Sequence, residues 1–343
     1  MTSGPAPRTA STSTTARGPA GGPAPATPPS RRWLSTSGGR VAGVLAALAA
    51  VFAVFTALEP SFFSVENLSE IVVQSSIIGV VALGMTLVVV TGGIDLSVGS
   101  IVGLVTVVCA TNLDSWGPAG TIVIGLALGA LLGLVNGAFS AYLGLASFIV
   151  TLATLNLYRG LAFLYTDGAP IFGLDDRFRS VFAGSVLGIQ NPIIILALVT
   201  GLCFTLLTRT RLGTYLRAVG SNAGAARQSG VLVQRTTMLA FVLSGLLCAL
   251  AAFMLMGRVG AAEPVSGTGF ELTAIAAVVV GGTSLAGGRA SIVGTILGAL
   301  LLGSIRTDAR RGGRSSQIAA STSTVVCAVW AWGPVLPVTE ANP

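Results

Sequence analysis

Few residues of this chain could do chemistry in an apolar setting, and most of them sit at interruptions of apolar runs. Asp95 closes the phrase Thr91-Gly92-Gly93-Ile94-Asp95-Leu96-Ser97, which separates two such runs. Paired glycines break a helix and leave backbone groups that need partners. In lipid, such a break is tolerated only inside protein or beside water. A carboxylate near mid-membrane costs about 2.5–3.5 kcal/mol on insertion scales. Two readings follow. Gly92, Gly93, Asp95 and Ser97 line a polar translocation path, or they form a tight turn at the membrane surface in which Asp95 caps the next helix. Arg159, inside the run 147–166, has three readings: snorkelling to an interface, pairing with a carboxylate, or binding a polar substrate.

Other chemistries drop out. The chain has no His and no Lys, so a His-based triad, a His metal site and a GxxxxGK[ST] phosphate loop are excluded. Cys109, Cys203, Cys248 and Cys327 are far apart and form no CxxC pair, which reads as inert thiols. No catalytic residue and no metal site is expected.

The elements that must position these residues follow from composition. Of 343 residues, 52% are hydrophobic and 9% charged, against about 25% charged in a soluble domain. So few charges cannot cover a soluble surface. The expected class is an all-α polytopic membrane bundle of about 9–10 transmembrane helices. Runs of spanning character lie near 41–58, 71–91, 97–111, 119–139, 147–166, 191–208, 237–257, 270–285 and 291–305. The third and the last two are short, so they are expected to be tilted, broken or re-entrant. Residues 1–39, rich in Pro, Ala, Ser, Thr and Gly, read as a disordered tail rather than a secretory signal.

The net charge of +7 comes entirely from arginine, clustered in a few segments. That pattern reports topology rather than nucleic-acid binding. Arg8, Arg17, Arg31, Arg32 and Arg40 precede the first run, and Arg209, Arg211, Arg217, Arg227 and Arg235 lie six runs later. Both groups therefore fall on one side, which positive-inside makes cytoplasmic, with the N-terminus.

Two patterns are repetitive. Val278-Val279-Val280-Gly281-Gly282-Thr283 echoes Val88-Val89-Val90-Thr91-Gly92-Gly93, and Ser291-Ile292-Val293-Gly294 echoes Ser100-Ile101-Val102-Gly103. This is either two related halves, as in many transporters, or coincidence in a Gly/Val-rich chain. Gly125, Gly129, Gly133 and Gly137 recur every fourth residue and give one smooth helix face for close packing, an idea repeated by Gly294 and Gly298.

The segment 211–235 contains a short Ala-rich stretch, Ala223 to Gln228, which Asn222 can cap and Gly230 can stop. A short basic helix of small residues suits a docking knob for a soluble partner; the alternative is a solvated loop.

Together these residues resemble the ribose/xylose-type permease subunits of ATP-binding cassette (ABC) importers, in the branched-chain amino acid/sugar permease superfamily. The resemblance rests on Gly84-Met85-Thr86-Leu87 through Ser100, on Asn136-Gly137, Phe148 to Leu152 and Arg159-Gly160, and on Ala218 to Asn222 with Ala225-Ala226-Arg227 and Ser229-Gly230. Gly281 to Arg289 completes it. It implies an ATPase-coupling loop containing Gly220, Asn222, Ala225, Ala226, Arg227, Ser229 and Gly230. It implies a path containing Gly92, Gly93, Asp95, Ser97, Asn136, Arg159, Gly281, Gly282 and Thr283. It further implies a permease homodimer or heterodimer in the cell membrane, a cytoplasmic ABC ATPase that hydrolyses ATP, and an extracytoplasmic solute-binding protein, with no cofactor on this chain. The solute would be a pentose, a hexose or a related small polar molecule. Rival readings are a nucleoside or signalling-sugar permease, a stand-alone secondary transporter or channel, and, weakest, a membrane enzyme. Ser147 stands where the family often has Pro, and Ala290 where Gly is common.

The motif-level resemblance covers about 41–305 and then stops. Arg306, Arg310, Arg311 and Arg314 follow the ninth run against only Asp308, where nine spans would leave the chain outside. The domain reading is therefore a tail 1–39, a permease domain 40–305 and an atypical segment 306–343, with the native last helix lost by a frameshift. The alternative is a lineage-specific tail in which 318–333 is a marginal final helix.

Overall fold

The computed structural model describes residues 37–58 and 60–311. The expectations for 1–36 and 312–343, Cys327 and the marginal final helix among them, lie outside the described residues; residues 37–39, expected in the tail, open the first helix, and 306–311, expected beyond the permease domain, continue the last. Hydropathy dictates the main elements: α1 (Ser37–Leu58), α2 (Val65–Val89), α3 (Val98–Thr111), α4 (Leu113–Tyr142), α5 (Ser147–Thr166), α7 (Asn191–Arg209), α10 (Val233–Val259), α11 (Phe270–Val280) and α12 (Ile292–Arg311). Among the described residues, five of these are long and apolar enough to cross a membrane and four are shorter apolar helices. All nine coincide with the nine apolar runs of the sequence. The protein is a polytopic helical membrane bundle.

Local chemistry sets the ends. Ser64 caps α2 by accepting from Asn67 N at 3.2 Å. Gly117, with φ 64°, breaks α4 just before Pro118, so its first turn stands apart from the long segment that follows. Shorter elements fill the ends: a 3-10 turn (Pro60–Phe63), α6 (Asp176–Ala183), α8 (Arg211–Ser221) and α9 (Ala223–Gln228). Strand β1 (Ile171–Phe172) pairs antiparallel with β4 (Ala261–Ala262), and β2 (Ser185–Val186) with β3 (Ile189–Gln190).

From Val73 to Val89, α2 is buried all round. It packs against α10, α12, α11 and α7. About a third of α4, α5 and α7 is buried, which leaves wide apolar faces for lipid. The every-fourth glycine face of α4 lies on α10: Gly129 meets the Gly245 carbonyl and Ala249, Gly133 meets Phe241 O, and Gly137 meets Met238. Gly294 and Gly298 seat α12 on Gly281 and Ala277 of the α11 segment in the same way. A helical glycine with open space beside it only weakens its helix. A methyl at Gly201 of α7 would meet nothing within 4 Å. Gly201→Ala is therefore expected to raise stability by about 0.5–1 kcal/mol in a thermal-shift measurement.

Candidate functional site

The two Gly-Gly phrases end their helices identically. At the first, Gly92 N donates to Val89 O at 2.9 Å and Gly93 N to Val88 O at 3.3 Å. At the second, Gly282 N donates to Val279 O at 2.9 Å and Thr283 N to Val278 O at 3.1 Å. Gly92 and Gly282 have φ of +84° and +86°, so each phrase is a Schellman stop with glycine in the left-handed position. The second part of the echo is out of register. Ser291 stands before α12, accepting from Gly294 N, whereas its sequence counterpart Ser100 lies inside α3. The residue that matches Ser291 by position is Ser97, the N-cap of α3.

Asp95 is fully buried just before α3. Its Oδ1 accepts from Ser97 N at 3.0 Å and from Ser97 Oγ at 2.7 Å. Its Oδ2 accepts from Ser244 Oγ of α10 at 3.3 Å. Asn136 of α4 donates to Ser97 Oγ at 2.7 Å, and Tyr158 of α5 donates to Leu132 O at 3.1 Å and to Asn136 Oδ1 at 3.4 Å. Ser147 and Thr151 clamp the backbone of Ile94 from α5, one accepting from its N at 3.0 Å, the other donating to its O at 3.2 Å. The break is thus tied to α4, α5 and α10, and the carboxylate both turns the chain into α3 and cross-links two elements. Among the residues expected at this site, Gly92, Gly93, Asp95, Ser97 and Asn136 are brought together. Tyr158, Ser244, Ser147 and Thr151 were not among the expected site residues; Tyr158 and Ser244 show in the sequence only as a hydroxyl within an apolar run, while Ser147 and Thr151 lie at the family motif Phe148 to Leu152.

Arg159 stands apart from that network. Its Nη1 donates to Pro264 O at 2.5 Å and to Ser266 O at 2.8 Å, holding the segment that leads into α11. It clasps carbonyls, a partner type that its three sequence readings did not include, and the Glu271 carboxylate lies within electrostatic reach of it. Glu271, in the first turn of α11, accepts from Gly269 N at 3.2 Å, and its Oε2 lies buried against Gly99. Thr283 accepts from Ser291 N at 3.0 Å and so braces the second break.

The short helix α9 forms as its caps dictate. Asn222 Oδ1 accepts from Ala225 N at 2.9 Å, and Gly230 stops the helix with its N donating to Arg227 O at 3.0 Å. Asn222, Ala225, Arg227, Ser229 and Gly230 are exposed, but Ala226 is buried against its own chain. A charge at Ala226 would therefore damage this fold, whereas Ala225 is exposed and free to meet a partner.

Gly220, near the end of α8, connects the two regions. It has no room for a methyl, which would overlap Val90 O and stand 2.5 Å from Gly288 N. Gly288 N in turn donates to Val90 O at 2.9 Å. Gly287 lies against Gly220 O and Gly92 N, and Gly288 against Ser221. The end of α8, the break after α2 and the loop after α11 thus touch backbone to backbone, with no side chain between them to absorb a displacement.

A family model described as branched-chain amino acid transport system / permease component matches residues 67–327. The match continues past Ile305, where the motif-level resemblance stops. The chain is 40% identical over 287 residues to the ribose import permease protein RbsC of Escherichia coli K12, covering 82% of this chain and 89% of that protein. It is 41% identical over 262 residues to the Bacillus subtilis protein of the same name, covering 76% and 81%. It is 42% identical over 264 residues to the autoinducer 2 import system permease protein LsrC of Klebsiella pneumoniae, covering 76% of each. No solved structure is a significant match.

Proposed function

This chain belongs to the family of permease components of the branched-chain amino acid transport system, and on that premise we propose that it is the membrane subunit of an ABC importer for a sugar or related small polar solute. The relatives at 40–42% identity are import permeases for ribose and for autoinducer 2. The observation that carries the reading is the backbone joint at Gly220, where the α8–α9 segment touches both helix breaks. The arginine-rich end faces the cytoplasm, with the N-terminus on the same side. There a partner ATPase docks on the exposed face of α9, among Asn222, Ala225, Arg227, Ser229 and Gly230, and supplies the ATP chemistry. A solute-binding protein delivers the sugar at the opposite end, and two permease copies enclose the path in the cell membrane. Gly92, Gly93, Asp95, Ser97, Asn136, Gly281, Gly282 and Thr283 frame that path at its cytoplasmic end, and Arg159 supports it from the other.

The test is co-expression with an ABC ATPase and a sugar-binding protein from the same genome, followed by purification and uptake of radiolabelled ribose and autoinducer 2 in vesicles. Co-purification of the ATPase with ATP-dependent uptake of one of these is expected. Uptake without ATP or without the ATPase overturns the reading. Ala225→Glu should leave the protein folded in the membrane yet reduce both ATPase co-purification and uptake at least about tenfold, because a charge forced into a packed interface costs more than 1.4 kcal/mol.

A further inference from the structure

We propose that the β2–β3 hairpin, Ser185 to Gln190, is a membrane-interface anchor that inserts its apolar tip among the phospholipids beside α7. The strands are joined by Leu187 and Gly188, with φ of +53° and +80°, the two positive values of a type I′ turn. Asn, Asp or Gly ordinarily takes the first of these positions, because a leucine side chain is disfavoured there. Leu187 is nevertheless present and 98% exposed, and Val186 and Ile189 beside it are more than half exposed. A water-facing turn gains nothing from this choice.

The depth of the tip follows from α7. That helix has 19 residues, which rise about 28 Å, close to the roughly 30 Å hydrocarbon core. Its first residue, Asn191, therefore lies at one hydrocarbon boundary and Arg209 at the other. The hairpin ends at Gln190, and its two-residue strands with their turn reach only about 10 Å at 3.4 Å per residue. Leu187 is thus confined to the headgroup layer or its margin. No charged residue occurs from Ser180 to Thr208, so nothing draws this segment out into water. Nor is it free to swing outward, because Gln190 Nε2 donates to Ser69 Oγ of α2 at 2.9 Å.

Continuity with the lipid-facing belt decides the occupant. Ile189 and Ile193 line an open groove of about 360 Å³ with Val65, Leu68 and Val72 of α2, a mainly apolar slot between the hairpin and the helix in which Ser69 and Gln190 are the polar residues. Below it, Leu198 and Leu202 of α7 are 70% and 64% exposed and continue the same surface. An acyl chain fits this slot, while the amphipathic apolar tip suits the headgroup boundary. The polar face of α6, with Asp176, Arg177 and Arg179, is the part of this end suited to water or a soluble partner.

The experiment places a nitroxide label at Leu187→Cys in a Cys327→Ser background, with the protein in phosphatidylcholine/phosphatidylglycerol vesicles. Native Cys109, Cys203 and Cys248 are buried. An Arg177→Cys label on α6 serves as the aqueous control, and Ile189→Cys reports the same layer without altering the turn. Accessibility is read with oxygen, which partitions into lipid, and with a nickel chelate, which stays in water. The oxygen-to-nickel ratio at Leu187 and Ile189 is expected to exceed that at Arg177 several-fold. A ratio equal to that of the control overturns the proposal. So does protection from both reagents, the sign of a second protein chain on the tip, or protection that arises only when a solute-binding protein is added. The readout depends on the membrane fold and not on any transported solute.

Discussion

Gly220→Ala is expected to abolish coupled uptake while leaving insertion in the membrane intact. The added methyl would overlap the carbonyl oxygen of Val90 and crowd Gly288 N, which are backbone atoms that no rotamer change can move aside. Inserting one methylene into a packed site costs about 1–3 kcal/mol. If that cost falls on one of two alternating arrangements of the joint, it shifts their populations about 5–150-fold. Gly220 joins the docking segment to both breaks, so the shift reaches the path from either side. Gly224→Ala is the control, since its methyl would meet only Asn222 Oδ1 at 3.3 Å. Uptake by right-side-out vesicles supplied with internal ATP, with ATPase co-purification as the second readout, separates the outcomes. Lost uptake with the ATPase still bound is expected for Gly220→Ala, and near wild-type uptake for Gly224→Ala. Equal uptake by the two variants would remove Gly220 from the transmission route.

How far the molecule was legible in its sequence depends on the range of the forces involved. The nine runs became nine helices among the described residues because each follows from local apolar length, and the short third, eighth and ninth runs became α3, α11 and the apolar part of α12. The caps of α9 were legible for the same reason: Asn222 and Gly230 act within a few residues of themselves. Pairings across the bundle were not. Ser244 and Tyr158 reach Asp95 and Asn136 from helices 149 and 22 positions away, and nothing in an apolar run marks which hydroxyl will be aimed inward. Arg159 carries three readings in the sequence, water, a carboxylate or a substrate; it holds carbonyls on a segment more than 100 residues along, with the Glu271 carboxylate within electrostatic reach. Ala226 looked like part of an exposed knob because composition cannot say which side of a six-residue helix turns back on its own chain. The β2–β3 hairpin and α6 were invisible to hydropathy, being shorter than any window that detects spans.

Asp95 yields the second large effect, and the contrast between two substitutions carries its meaning. Its Oδ1 serves two donors from Ser97, and its Oδ2 receives the hydroxyl of Ser244. In Asp95→Asn the amide oxygen can still accept from both Ser97 groups, and its NH₂ can donate to Ser244 Oγ, whose hydroxyl rotates freely. Stability is therefore expected to change little. Asp95→Leu leaves the Ser97 N–H, its hydroxyl and that of Ser244 without an acceptor in a buried site. Each orphaned group costs about 1–3 kcal/mol. The sum is enough to unfold the break, so a large fall in thermal stability and loss of uptake are expected together. Asp95→Asn is expected to keep most of its uptake, because the donors around the carboxylate are all neutral and its geometry, more than its charge, holds α3 to α10. Thermal-shift and uptake measurements on the pair decide the matter. If Asp95→Asn melts like the parent chain but no longer transports, the negative charge itself takes part in translocation and the bracing role is insufficient.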